Sequence, residues 1–300
     1  VGRPHEGDYV MPERPGPVLI TGANSGIGLS ASLRLASRGW DVWGTVRTAT
    51  KGDGLLAEAE KAGVVERVHP LVLDVSDHDA IVAAWPDLPD FYGVVNNAGY
   101  SEMGAIEEVS AADAKAQLDL NLVTPAVVTS CALPGMRARG AGRIVMVSSI
   151  FGKAAVLPLN GWYHASKFGL EALSDVLRME VAGFGVKVSI VEPGFFRTGI
   201  DARPADKLKE LAARRASPYR SAYERAVEGF DLAGRYAPPP SIVARTISSA
   251  IENRRPLRRY LVGFDAMALS AAEQLLPREL TDNVARMMTG LMKPRGASTA

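Results

Sequence analysis

PVLITGANSGIGLSASLRLASRG, residues 17–39, decides the fold. The apolar run PVLIT (17–21) reads as a buried strand. It enters a turn in which Gly22, Gly26 and Gly28 are spaced G-x-x-x-G-x-G, and the helix-length segment GLSASLRLASRG (28–39) follows at once. Glycines at such a turn let backbone N–H groups approach a pyrophosphate, whose charge the helix N-terminus stabilises. They would equally suit a close strand–helix crossing, and both uses can hold together. Position favours the nucleotide, because the turn follows the first strand and opens the first helix.

Outward from this unit, the same alternation repeats. Strand candidates lie at 41–46, 68–73, 92–96, 143–148, 186–191 and 259–263, separated by helix-length segments such as SDHDAIVAAW (76–85). Several are apolar without strict alternation, as strands covered on both faces must be. The expected fold class is α/β: a doubly wound Rossmann-type parallel sheet of about seven strands with helices on both faces. A single domain is expected over 17–293, after a flexible Pro- and Gly-rich leader (1–16) and before a frayed tail (294–300). Residues 195–240 break the rhythm as a long insertion after the sixth strand.

Bulk composition narrows the function classes. The chain has 300 residues, 47% hydrophobic and 22% charged, so it can bury a substantial core. A net charge of +1 gives no reason to expect nucleic acid or an anionic membrane as a main partner. Cys131 is the sole cysteine, which excludes an intrachain disulfide or a cysteine-rich zinc site, and His5, His69, His78 and His164 lack metal-ligand spacing. No metal is expected. No apolar run is long enough for a spanning helix, and the leader lacks the apolar segment of a signal peptide. A cytoplasmic protein is the expectation.

Strand ends carry the candidate chemistry. The second strand ends WGTVRT, with Val46 where an acidic residue would bind ribose hydroxyls and Arg47 next to it. A guanidinium binds phosphate in a forked geometry, so NADP is favoured over NAD, which stays possible. Asp74 ends the third strand, where it can meet an adenine amino group, while Ser76 and Asp77 can cap the next helix. NNAG (96–99) closes the fourth strand with small and amide residues, suited to a cofactor wall or to a turn.

VMVSSIFG ends an apolar strand in Ser148 and Ser149, and GWYHASKFGL (161–170) then sets Tyr163 four positions before Lys167. Residues i and i+4 share a helix face, so the phenol and the ammonium project into one cleft. A free tyrosine has a pKa of about 10. A lysine cation and a positive nicotinamide ring would favour phenolate, and a shift of about three units corresponds to about 4 kcal/mol. Taken singly, these residues could be a packing tyrosine, a solvated lysine and a turn-capping serine pair. Their conjunction at the C-terminal edge of a nucleotide-binding sheet overrides that reading.

The whole constellation resembles the short-chain dehydrogenase/reductase family. TGANSGIG (21–28), Asp74, NNAG (96–99), Asn121 in LDLNLVTP, VSS (147–149), YHASK (163–167) and PGFFRT (193–198) occur in the family's order over about residues 17–265. The segments SKFGLEALSDVLRMEVAGFGVKVSIVEPG and RRYLVGFDA are similar to the hydroxysteroid- and retinol-dehydrogenase-like branch. The resemblance implies Tyr163 as acid/base, Lys167 as its activator, Ser149 as holder of the reacting oxygen and Asn121 in a water-linked proton relay. It implies a cofactor site of Gly22, Asn24, Ser25, Gly26, Ile27, Gly28, Asp74, Val75, Asn97, Ala98, Gly99, Pro193, Gly194, Phe196 and Thr198, shared with Tyr163 and Lys167. Ser149 is preferred over Ser148 because Gly152 follows at +3. The step from Ser149 to Tyr163 is one residue longer than the family's usual spacing, and the extra residue is expected in KAAVLPLNGW (153–162).

The resemblance also implies dimers or tetramers. Tyr219, Tyr223, Val227 and Phe230 form an apolar helical stripe in the insertion, with Leu208 and Leu211 starting a shorter one. The stripe either packs on the body of the domain or serves as a lid over a hydrophobic alcohol or ketone. The expected activity is NADP(H)-dependent interconversion of such an alcohol and its ketone or aldehyde, on a steroid-, retinoid- or lipid-like compound. A non-catalytic nucleotide sensor, and the same chemistry on a small polar substrate, are the alternatives.

Overall fold

The structure is a computed structural model that describes residues 16–197 and 202–291. Seven strands form one sheet: β1 (Val18–Ile20), β2 (Val42–Val46), β3 (Val68–Val72), β4 (Gly93–Asn96), β5 (Gly142–Val147), β6 (Val186–Pro193) and β7 (Arg259–Val262). All pairings are parallel, in the order β3-β2-β1-β4-β5-β6-β7. The chain therefore builds outward from β1 to β3, returns across the sheet, and builds the other way from β4. A crevice opens where the direction reverses, above the C-terminal ends of β1 and β4.

The seven expected strands all form, each shifted by no more than a few residues at its ends. Their apolar character on both sides has a direct cause. Val18, Ile20, Val95, Val145 and Val191 face one core, against Ala31 and Leu35 of α1 (Gly26–Ser37) and Ile247 of α9 (Ser241–Glu252). The alternate residues Leu19, Val94, Ile144, Met146 and Val188 face the other. There they meet Ile81 of α3 (His78–Ala84), Val128 and Met136 of α5 (Thr124–Arg139), and Leu170 of α6 (Gly161–Glu180). Both periodic faces are buried, so alternation disappears from the sequence.

Local signals set the helix starts. Thr48 caps α2 (Ala49–Lys61), Asp77 caps α3, and Ser110 caps α4 (Ala111–Leu118), each accepting a bond from a backbone N–H. Polar contacts fasten α1 to α9: Glu252 accepts from Arg38 Nε at 2.6 Å, Trp40 Nε1 at 3.2 Å and Ser248 Oγ at 3.0 Å.

Within the insertion, α7 (Ala202–Ala212) and α8 (Arg220–Tyr236) build a small separate core. Leu208, Leu211 and Tyr223 are buried there against Met103, Ala105 and Leu159. The stripe predicted from Tyr219, Tyr223, Val227 and Phe230 exists, and it packs on the body of the protein. After β7, α10 (Phe264–Leu275) and α11 (Arg278–Thr289) follow; Glu273 pairs with Arg278 at 2.7 Å, and Asp265 turns to the loop after β6. Among the described residues no helix is long and apolar enough to cross a membrane. The leader, except Gly16, and the tail 294–300 lie outside the described residues.

Ile247 has no exposed surface and sits between α9 and the sheet. Ile247→Ala should lower unfolding free energy by about 2–5 kcal/mol through the lost contacts and the cavity left behind. Denaturant unfolding would read this, with nicotinamide binding to the folded fraction retained.

Candidate active site

The ends of β1 and β4 are stitched together. The Thr21 hydroxyl accepts from the N–H groups of Asn97 (3.0 Å) and Ala98 (2.9 Å). Asn97 Nδ2 returns bonds to the carbonyls of Thr21 (2.9 Å) and Gly22 (3.2 Å). Asn97 thus shapes the glycine loop as well as lining the cleft. Gly22 and Gly26 take φ of 68° and 54°, in the left-handed region. A Cβ on Gly28 would stand 2.2 Å from the Gly22 carbonyl oxygen, so that position has room only for hydrogen. Ser25 precedes α1 without a side-chain capping bond, which leaves the first helix amides to an anion.

Gly22, Asn24, Ser25, Arg47, Asp74, Val75 and Ala98 line a cleft over this loop. Ile27, Asn97, Gly99 and Tyr100 connect it to a second cavity. Gly26 and Gly28 support the loop from behind and do not line either space. Lys51, in the first turn of α2, joins Arg47 in the cleft beside Val46. The sequence signal for Lys51 was present: Thr48 starts a helix whose third residue turns back towards Arg47. Burial alone would raise the Asp74 pKa, but bonds from Ser76 N–H (3.0 Å) and Oγ (2.8 Å), with the charges of Arg47 and Lys51, hold it low. The residues fit NADP(H): an amide-lined loop for a pyrophosphate, two cations with no carboxylate at the end of β2, and an ionised Asp74.

The second cavity collects Ser149, Tyr163, Lys167, Pro193, Gly194 and Phe196. Ser149 leaves β5 in an extended conformation and lines the cavity with Tyr163, whose pKa it lowers; its hydroxyl donates to the Pro193 carbonyl at 3.5 Å and accepts from Phe151 N–H at 3.2 Å. The Ser148 hydroxyl instead faces Glu171. Lys167 Nζ lies 5.7 Å from the Tyr163 ring centroid and donates to the Val147 carbonyl at 2.9 Å. Burial pushes the Tyr163 pKa up to about 12 against the lowering effect of Ser149, and burial pulls Lys167 down to about 8 against the raising charge of Glu171. The protein's own groups therefore hold Tyr163 protonated; the expected pull towards phenolate counts the positive nicotinamide ring as well as the lysine.

Asn121 sits in a π-helical turn (Asp119–Val123) between α4 and α5. Its side chain is fully buried behind the cavity: Oδ1 accepts from Tyr100 N–H at 3.0 Å, and Nδ2 donates to the Tyr100 carbonyl at 2.8 Å and Ser166 Oγ at 3.0 Å. Both Nδ2 hydrogens and one lone pair of Oδ1 are thus taken up by these neighbours. Thr198 lies outside the described residues.

Phe151, Phe195 and Phe230 build an aromatic wall, with centroids 5.9 Å apart for both Phe151–Phe195 and Phe195–Phe230. Asp265 secures the Phe195 loop by accepting from its N–H at 2.6 Å. Phe151 and Phe195 escaped the sequence reading because each lies within two residues of one singled out for catalysis or cofactor binding and carries no polar signal itself.

Residues 17–209 match the family model for short chain dehydrogenase. The chain belongs to this family. It is an oxidoreductase of seven parallel strands. Human retinol dehydrogenase 5 is 32% identical over 287 residues, covering 89% of this chain and 86% of that protein. Human 17-beta-hydroxysteroid dehydrogenase type 6 is 34% identical over 282 residues, with 89% and 86% covered. A short-chain dehydrogenase from Streptomyces avermitilis superposes with a TM-score of 0.72 at 28% identity, over 95% of this chain and all of that one.

The depressed Lys167 pKa has a measurable sign. Below about pH 8 the lysine is charged in both folded and unfolded chains. From there to the unfolded value of about 10.4 the unfolded chain binds more protons, so stability rises with pH. Lys167→Met should be the more stable protein near neutrality, with the difference shrinking between about pH 8 and 10. Denaturant unfolding of both proteins across that range checks it.

Proposed function

We propose that this short-chain dehydrogenase interconverts a hydrophobic alcohol with its ketone or aldehyde using NADP(H), with Tyr163 as acid/base. One observation carries the reading: Ser149, Tyr163 and Lys167 share a cavity that continues into the glycine-loop cleft. When bound, the nicotinamide would supply or accept the hydride and, oxidised, a positive charge that favours phenolate. Ser149 positions the reacting oxygen by its hydrogen bond. Tyr163, held protonated, donates to that oxygen on reduction and receives the proton on oxidation. Lys167 orients the phenol and holds charge beside it. The Asn121 side chain is already committed, so a relay through this residue would use its backbone carbonyl in the π-helical turn.

The glycine loop, Asp74, Asn97–Gly99 and Pro193–Phe196 hold the cofactor, and Arg47 with Lys51 takes the 2′-phosphate. The aromatic wall favours a hydrophobic substrate over a small polar one, in keeping with retinol and hydroxysteroid dehydrogenases among the relatives. Phe230 brings the insertion 195–240 to the cavity as a lid on the catalytic domain 17–293. Exposed Phe168, Val176 and Met179 on α6 suit a homodimer or homotetramer. The single cysteine suits a reducing compartment such as the cytoplasm. A pure nucleotide sensor would have no need of Ser149, Tyr163 and Lys167 together in one cavity.

Tyr163→Phe should cut turnover at least about 100-fold while NADPH affinity stays within about threefold. Nicotinamide absorbance with a panel of hydrophobic ketones, beside a binding titration, reads both; full turnover by the variant would sink the mechanism. Arg47→Ala should weaken NADPH about tenfold or more and leave NADH nearly unaffected. Equal losses for both cofactors would refute the 2′-phosphate assignment.

A further inference from the structure

Asn160 stands at the N-cap of α6, three residues before Tyr163, and makes no capping bond. Asparagine is among the strongest N-cap residues, so leaving the cap unmade gives up helix stability. The preceding residue, Leu159, has φ of 65°, the one positive value at a non-glycine position among the described residues. Such backbone is strained at a residue with a Cβ and persists only where its surroundings enforce it. Here the Leu159 carbonyl accepts from Gly104 N–H at 2.7 Å, and residues 104 and 160 form an isolated bridge.

Both costs serve one outcome. The Asn160 side chain turns into the catalytic cavity, although the residue is only 3% exposed. Its Oδ1 accepts from Ser101 Oγ at 2.7 Å, which orients the amide and leaves the Nδ2 hydrogens without a partner among the described residues. Its nitrogen is not among the sealed, partnerless polar atoms, so it opens to the cavity, where a ligand oxygen can take the place of water.

We propose that Asn160, oriented by Ser101, binds a second, neutral oxygen of the substrate. This rests on the alcohol–ketone reading of the cavity and narrows its substrate class. Asn160 and Tyr163 stand about one turn apart at the start of the same helix and line one cavity, so one substrate can reach both with two different oxygens. The substrate is a hydroxyketone, diketone or diol with an apolar body against Phe151, Phe195 and Phe230. A carboxylate is disfavoured, because the buried Glu102 adjoins Ser101 and Lys207, 3.4 Å from it, already balances that charge.

Two ketones test this: 4-phenylbutan-2-one and 4-hydroxy-4-phenylbutan-2-one, identical except for the second oxygen. Titration calorimetry on protein saturated with NADP⁺ gives both affinities without requiring turnover. The wild type should bind one enantiomer of the hydroxyketone about tenfold more tightly than the plain ketone. Asn160→Asp keeps the acceptor for Ser101 and removes the amide donors; Asn160→Leu keeps the bulk and removes both. Each should bring the ratio to about one. A wild-type ratio near one, no binding of either ketone, or a preference that survives in both variants overturns the assignment. A wild-type preference lost in the variants, without NADPH-dependent turnover of either ketone, supports the subsite and counts against the catalytic reading alone.

Discussion

The Thr21 hydroxyl is the joint on which this architecture depends. A doubly wound sheet must part its connections at the reversal point, and the crevice there would gape if nothing held its lips. Thr21 accepts from two successive N–H groups beyond β4, and Asn97 answers with two bonds to the carbonyls beside the first glycine. Four hydrogen bonds thus fix the glycine loop relative to the strand that leads to Gly99. Gly99 in turn leaves no room for a side chain, since a Cβ would lie 2.9 Å from Asn121 Oδ1 and 3.8 Å from Lys167 Nζ. Cofactor loop, proton-relay candidate and catalytic helix are all referred to one frame.

Beneath that frame, charge is arranged in layers. Tyr163, Lys167, Glu171 and Asp175 descend α6 at steps of four, which places a phenol, an ammonium and two carboxylates in one file. Burial raises Glu171 to about 7, with Glu192 also raising it, while its contact with Ser148 and the charges of Arg259 and Lys153 lower it. Arg259 spans Glu171 (2.9 Å), Asp175 (2.8 Å) and Glu192 (3.4 Å). A buried set of ions is weak ground for stability, since desolvation offsets attraction. Its clearer consequence is orientation: β6, β7 and α6 are keyed together directly behind the lysine.

Much of this was legible in residue order, for an identifiable reason. The glycine loop, the strand ends and the Tyr163–Lys167 step depend on local backbone rules and on one helical period, so sequence spacing carries them. The lid stripe was legible as a stripe, because its period is helical, but not as to what it touches. Tyr223 gives its hydroxyl to Glu108 at 2.6 Å and accepts from Ala105 N–H at 2.9 Å, contacts across more than a hundred residues that no period encodes. The upward push on the Tyr163 pKa was not legible for the same reason. Burial decides it, and burial is a property of the assembled cavity.

The loop between Ser149 and Tyr163 is held at two points by one ring: His164 Nδ1 lies 2.9 Å from the Phe151 carbonyl oxygen and Nε2 lies 3.2 Å from that of Leu157. Burial holds the His164 pKa low, so near neutrality the ring carries one N–H and can donate to only one of these carbonyls at a time. With the loop's first part pinned, the remaining freedom falls on Leu159, whose left-handed backbone turns the chain into α6. That turn decides where Asn160 points. A strained residue packed against Tyr223 and Leu208 of the insertion also couples the cavity wall to the lid helices, because relaxing Leu159 would disturb the small core they share.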